Sequence, residues 1–131
     1  MNNVLNNTTF AIGRALLGLY FLVPGIFKVT QYQNHLDLML SKSIPFSEVL
    51  LPVTAALQIA LGVFLIIGKY VKVSALVLFG MTILINLGIH NFWTLTGDPS
   101  YAHELQNFVK NLGIAAGLLV LSGSSGKLDS R

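Results

Sequence analysis

The sequence predicts an all-α protein: an integral membrane four-helix transmembrane bundle with a short amphipathic helix between spans 1 and 2. Three observations carry this expectation. The mean hydropathy is +0.70. Only 10% of the 131 residues are Asp, Glu, Lys or Arg, against about 25% in a soluble domain. The apolar residues also fall into long runs separated by short polar segments. A soluble fold of this size could not hide so much apolar surface, whereas a bilayer solvates it. The length suits a single domain, residues 1–131.

The first span is expected over about residues 9–29, interrupted by Arg14 and closing at Lys28. About 20 residues rising 1.5 Å each cross a hydrocarbon core of about 30 Å. Gln31 to Ser43 is polar, with Leu36, Met39 and Leu40 at helical spacing. That pattern fits an amphipathic helix at the interface, or an ordinary loop helix. Ser47 is expected to cap the second span, about 48–68, which carries Pro52 near its start. Lys69 to Lys72 is a tight connection, and the third span covers about 73–94. Thr96-Gly97-Asp98-Pro99-Ser100 has the composition of a turn. The fourth span is expected over about 103–122. Its clean apolar stretch, Leu112 to Leu121, is too short alone, so Lys110 is expected to snorkel. A polar Gly/Ser-rich tail follows, 123–131. Gly113 and Gly117 fit close helix packing, and Trp93 and Tyr101 fit an aromatic belt.

Gly18 to Lys28 and Gly62 to Lys72 share a glycine, an aromatic two residues on and a closing lysine; this is too little to assign a repeat. The net charge of +3 does not point to nucleic acid, because the basic residues form no stripe and fall mostly at the ends of apolar runs. The chain has no cysteine, which excludes disulfides, thiol catalysis and Cys-ligated metal. Asparagines replace the basic segment of a cleaved signal, so the first run is expected to stay as a span. Haem would need ligands on facing helices, and His35, His90 and His103 are not so placed; neither haem nor metal is expected.

Polar groups deep in hydrocarbon need partners and are candidates for function. Thr54 and Gln58 stand one helical turn apart, as do Asn86 and His90, and Asn107 and Asn111 with Lys110 beside them. Spacing of four puts each pair on one helix face. By depth these residues and Lys28 fall mainly in one half of the bilayer, while Arg14, Ser74 and Thr82 belong to the other. Pro24 and Pro52 fall in the same layer and leave the carbonyls of Tyr20 and Glu48 without helical donors. The layer is either a ligand pocket, built from Lys28, Thr54, Gln58, Asn86, His90, Asn107, Lys110 and Asn111, or polar glue between helices. His90 is expected within reach of Gln58 or Asn107.

Gly13-Arg14, Leu17-Gly18, Tyr20-Phe21, Pro24-Gly25-Ile26 and Phe27-Lys28 resemble the opening of the DoxX family of small bacterial membrane proteins. Gln58-Ile59, Gly62 and Leu65 to Gly68 resemble the family's second block, which usually has Glu where this chain has Gln58. His90-Asn91-Phe92-Trp93 and the Leu128-Asp129 ending resemble later blocks. The resemblance implies four transmembrane helices and a link to respiratory or redox membrane systems. Relatives include a subunit of a thiosulfate:quinone oxidoreductase. The expected role is an accessory subunit of a quinone-linked redox system, with a quinone or other lipid-like ligand and no covalent cofactor. No self-contained catalytic machinery is visible, so the chain is at most an oxidoreductase subunit, and electrons require a redox partner. The alternatives are an assembly subunit without ligand and a small transporter that is not proton-coupled. The expected partners are the lipid bilayer, redox-protein subunits and, as an open case, further copies of the chain.

The expected location is the cell inner (plasma) membrane, with both termini cytoplasmic. Arg14, Lys69, Lys72, Lys127 and Arg131 fall on one side, and Lys28, Lys42 and Lys110 on the other; the basic bias places the first side inside. Impermeant thiol reagents should therefore label a cysteine at Ser100 from outside and spare one at Ser125. The reverse pattern would invert the orientation.

Overall fold

The computed structural model describes residues 2–129 of the chain, with side chains described for residues 4–124. Lys127 and Arg131, whose charges enter the topology argument, and Ser125 lie outside the described side chains. Five α-helices follow in order: α1 Asn2–Thr30, α2 Tyr32–Ser41, α3 Ser47–Ile67, α4 Val71–Gly88 and α5 Tyr101–Asp129. A 3₁₀ turn, Phe92–Leu95, lies between α4 and α5. Four segments are long and apolar enough to cross a membrane: Val4–Thr30, Ser47–Ile67, Val71–Leu95 and Tyr101–Ser124.

The helices associate as two tight pairs, α1 with α3 and α4 with α5, and α3 and α4 meet less extensively. The first pair rests on glycine. A Cβ on Gly18 would stand 2.6 Å from the Gly62 carbonyl oxygen, and one on Gly62 would stand 2.8 Å from that of Gly18. Only residues without side chains let the two backbones approach so closely. Gly25 continues the seam against Gln58 and Ile59. The close-packing motif expected at Gly113 and Gly117 is not this contact. Gly113 is exposed with open space around it, and Gly117 meets only the Leu17 methyls at 3.9 Å. Spacing finds small residues on one face but does not say which way that face turns.

Gly68, at φ +80°, ends α3 in the left-handed conformation. The Arg14 side chain of α1 folds over it and donates from Nε to the Leu65 carbonyl at 2.8 Å. That carbonyl lies in the last turn of α3, where no helical donor follows. Next to this hairpin end lies the apolar core of Phe21, Leu65, Val71, Ala75, Leu78, Leu118 and Leu121. Large apolar side chains elsewhere, such as Leu16, Val53, Leu84 and Val120, face outward, as the lipid-facing surface of a spanning bundle requires.

Four local expectations change. Helix α1 starts seven residues earlier than the apolar run, because adding a residue to an existing helix gains a hydrogen bond without a new nucleation cost. Helix α5 continues through the Gly/Ser-rich segment for the same reason. Ser47 does not cap α3: its hydroxyl donates back to the Ile44 carbonyl at 2.7 Å, and the cap position is Phe46 in a left-handed conformation. The third apolar segment is not one helix, since α4 stops at Gly88 and the chain resumes as the 3₁₀ turn. Asn91 holds that break, accepting from Lys42 Nζ at 3.0 Å on its side chain and from the Thr94 hydroxyl on its carbonyl. Phe92 packs edge-to-face on Tyr101 and Phe108, which ties the turn to α5. The Ser100 backbone N–H and hydroxyl both donate to Asp98 Oδ1 before α5 begins, and they hold its carboxyl below the usual carboxylate range.

The Gly18–Gly62 crossing yields a test. Gly18→Val or Gly62→Val should destabilise the detergent-solubilised protein by about 1–3 kcal/mol, the usual cost of overpacking. Gly113→Val should be tolerated. Equal melting temperatures for all three would show that the crossing does not hold the bundle.

Candidate ligand-binding site

At the bundle end away from the hairpin, the two helix pairs diverge and leave two adjoining spaces. α1 and α4 make no close backbone approach, and between them lies a polar cavity of about 160 Å³. Tyr20, Phe21, Pro24 and Lys28 line it from α1, Gln58 from α3, Thr82 and Ile85 from α4, His90 from just beyond α4 and Asn111 from α5. The second space is an open groove of about 470 Å³ between the start of α3 and the end of α4. Leu50, Leu51, Thr54, Met81, Leu84 and Ile85 form its mostly apolar walls, and His35, Leu38 and Met39 of α2 adjoin it. Lys28, Ile85 and His90 line both spaces. The half-buried residues of α2, including Tyr32, His35, Leu36 and Met39, fall at helical spacing, so α2 lays one face over the groove.

The break after Gly88 determines where His90 goes. Freed from the helix, its Nδ1 lies 3.1 Å from Glu104 Oε2, and the two side chains are 20% and 16% exposed. Asn107 Nδ2 donates to the other carboxylate oxygen at 3.4 Å. Tyr20 donates its hydroxyl to Asn111 Oδ1 at 2.8 Å, across from α1 to α5. Thr82 donates to the Leu78 carbonyl, one turn back in its own helix. Asn86 is buried between α4 and α5 and donates to the Phe108 carbonyl at 3.0 Å.

Two groups in the cavity wall have no such partner. Gln58 is only 4% exposed, yet its side chain makes no hydrogen bond among the described residues and its Oε1 is buried without a donor. Lys28 is half-buried with no ion pair or hydrogen bond among the described residues. A buried polar group left unpaired is costly, more so in hydrocarbon. A cavity lined by an unpaired amide, an ammonium and an imidazole can receive a small polar head, and the adjoining groove can receive an apolar chain.

The sequence-derived candidates therefore divide. Lys28, Gln58, His90 and Asn111 line the polar cavity, and Thr54 lines the groove. Asn107 meets His90 only through Glu104. Asn86 is bonded between helices, and Lys110 is exposed, its Nζ 6.0 Å from the centre of the Tyr20 ring. Three further residues stand outside that set: Tyr20, Thr82 and Glu104. Thr82, expected in the other half of the bilayer, lines the cavity with Gln58 and His90, because depth counted from the span ends does not register where the helices part. Glu104 shares its helix face with Asn107, three residues on. Tyr20 has the helical spacing to Pro24 and Lys28 that marks one face. Among the described residues no three His, Asp or Glu side chains converge as metal ligands would.

Comparison with known proteins places this arrangement. The profile of the family described as DoxX matches residues 9–91, more than half of the chain. The chain belongs to the DoxX family. The matched stretch carries the α1–α3 seam, α2, the groove and His90, while α5 with Glu104 and Asn111 lies beyond it. The chain is also similar to the inner membrane protein YphA of Escherichia coli (strain K12), with 22% identity over 111 residues, 85% of this chain and 79% of that protein. No solved structure matches the chain significantly.

In this DoxX-family protein the Tyr20–Asn111 bond spans the cavity and can be tested on its own. Tyr20→Phe should lower stability by about 0.5–1.5 kcal/mol, and Asn111→Ala should cost less in that background than in the wild type. Strictly additive melting shifts would show that the two side chains do not interact.

Proposed function

We propose that this protein holds an isoprenoid quinone or a chemically similar lipid, and serves as an accessory subunit of a redox system in an inner membrane. The observation that carries the reading is the wall shared by the two spaces. Lys28, Ile85 and His90 line both the polar cavity and the apolar groove, as the residues where an amphiphile's head joins its tail would. The cavity, about 160 Å³, is close to the roughly 150 Å³ that accommodates a benzene ring. Gln58 and Lys28 supply the unmet hydrogen-bonding capacity that a ring oxygen would meet. The mostly apolar lining of the groove suits a ligand that enters from the hydrocarbon rather than from water. The name of the similar YphA protein supports an inner-membrane location. With both termini cytoplasmic, the site lies in the half of the bilayer away from the cytoplasm.

The chain has no cysteine, and its polar groups bind and orient rather than carry electrons, so a partner subunit supplies them. One observation favours a plain assembly role instead: Asn86 Nδ2 on the Phe108 carbonyl and Tyr20 on Asn111 are interhelical bonds made without a ligand, although Asn86 Oδ1 is left buried without a donor. Glue of that kind averages about 0.6 kcal/mol per contact in membranes, and it leaves Gln58 and Lys28 unexplained.

Mass spectrometry of protein extracted in native-lipid nanodiscs separates the two roles. Wild type should carry quinone. Gln58→Ala and His90→Ala should each lower quinone retention by about fivefold or more, the effect of about 1–3 kcal/mol. Lys28→Ala should affect retention more than melting temperature. Quinone absent from wild type, or unchanged in all three variants, would remove the binding role.

A further inference from the structure

We propose that the site selects the reduced, hydroxyl form of its ligand over the carbonyl form, and that Glu104 sets this preference by orienting the His90 imidazole. The inference rests on the quinone-binding reading above. It begins with the direction of the hydrogen bonds at Glu104. The carboxylate receives Asn107 Nδ2 on Oε1 and faces His90 Nδ1 on Oε2. An ionised carboxylate only accepts, so Nδ1 carries the proton in that contact. In the neutral ring Nε2 is then the acceptor, as when a second partner fixes a histidine tautomer elsewhere. His90 lines both spaces, and Nε2 is the ring nitrogen left to meet a ligand there.

Gln58 adds a second unmet acceptor, its buried Oε1, and rotation of the amide brings either end to the cavity it lines. Lys28 offers donors only. A quinol hydroxyl both donates and accepts, so it can give its hydrogen to Nε2 while accepting from Lys28. A quinone carbonyl accepts alone and leaves the imidazole acceptor facing its lone pairs. A site built to bind a hydroxyl rejects the analogue lacking it, because its own polar groups are left unpaired. Glu104 touches no ligand in this account and is a positioning residue.

His35 also adjoins the groove, with its Nδ1 2.9 Å from the Gln31 carbonyl. It has no carboxylate partner among the described residues and is the control for an imidazole that Glu104 does not orient.

The test measures binding of a one-isoprene benzoquinone and of its quinol to the full-length protein in nanodiscs. At about pH 8 the quinol should bind about tenfold or more tightly than the quinone. Glu104→Gln, whose amide can give or accept at Nδ1, should bring the ratio toward one. His90→Gln should do the same, and covers the case in which the Glu104 variant fails to fold. His35→Gln should keep the ratio. A merely structural role for Glu104 would weaken both ligands equally and leave the ratio standing. Equal or stronger binding of the quinone at about pH 8 overturns the selection while leaving quinone binding intact. Binding of neither ligand overturns both.

Discussion

Gly18 and Gly62 bring two helix backbones into direct contact, and the remaining architecture follows from that approach. In hydrocarbon, apolar side chains gain nothing by leaving lipid for one another, so close packing and polar bonds must hold the helices together. The glycines provide the packing, and Arg14 on the Leu65 carbonyl adds a bond at the hairpin end of the same seam. With α1 committed to α3 and α4 to α5, the pairs are joined mainly by the Gly68–Val71 hairpin and the apolar core beside it. A hinge closed at one end leaves a wedge at the other, and the polar cavity and the groove are the two parts of that wedge.

The wedge mixes polar groups that have a protein partner with groups that have none. Asn86, Tyr20, Asn111 and Thr82 each have a protein partner. His90 and Asn107 share Glu104. Among the described residues Gln58 and Lys28 have none, although Gln58 is as buried as the bonded groups. Orphaned atoms also occur away from the cavity wall, since Asn86 Oδ1 and Ser74 Oγ are buried without partners. Gln58 and Lys28 differ from those two in lining the cavity. Where this chain has Gln58, the resemblance described above implies that the family usually carries Glu. An amide keeps hydrogen-bonding capacity there and removes the charge, while Glu104 on the opposite helix pair brings a carboxylate to His90.

The spans were legible because hydropathy over about 20 residues is nearly sufficient to define a membrane helix. The polar layer was legible because side chains four residues apart share a face. Helical period does not give rotation about the axis, and this limit accounts for the errors. Lys110 adjoins Asn111 in sequence but points outward, and Gly113 has the right spacing on an exposed face. Gly18 and Gly62, named in a faint repeat and in the family motifs but not as a packing contact, are the two residues that touch. Glu104 was hidden for another reason. Its role needs the chain to leave helical geometry at His90, and that break depends on Asn91, Lys42 and the aromatic contacts of Phe92, none of which is a local helix-stop signal.

The same break explains why His90 lines both the groove and the cavity. Had α4 continued as a regular helix through Leu95, His90 would have kept the direction set by Asn86, one turn earlier, which is directed at the α5 backbone. Ending α4 at Gly88 releases His90 to the boundary of both spaces, and Gly88 itself has little room for a side chain, since a Cβ there would stand 3.2 Å from Ile44 Cδ1. Ile44 leads from α2 into α3 and lines the groove. The residue that ends the helix thus also lies against the α2–α3 connection, where an added methyl would press on the end of the Ile44 side chain beside the groove.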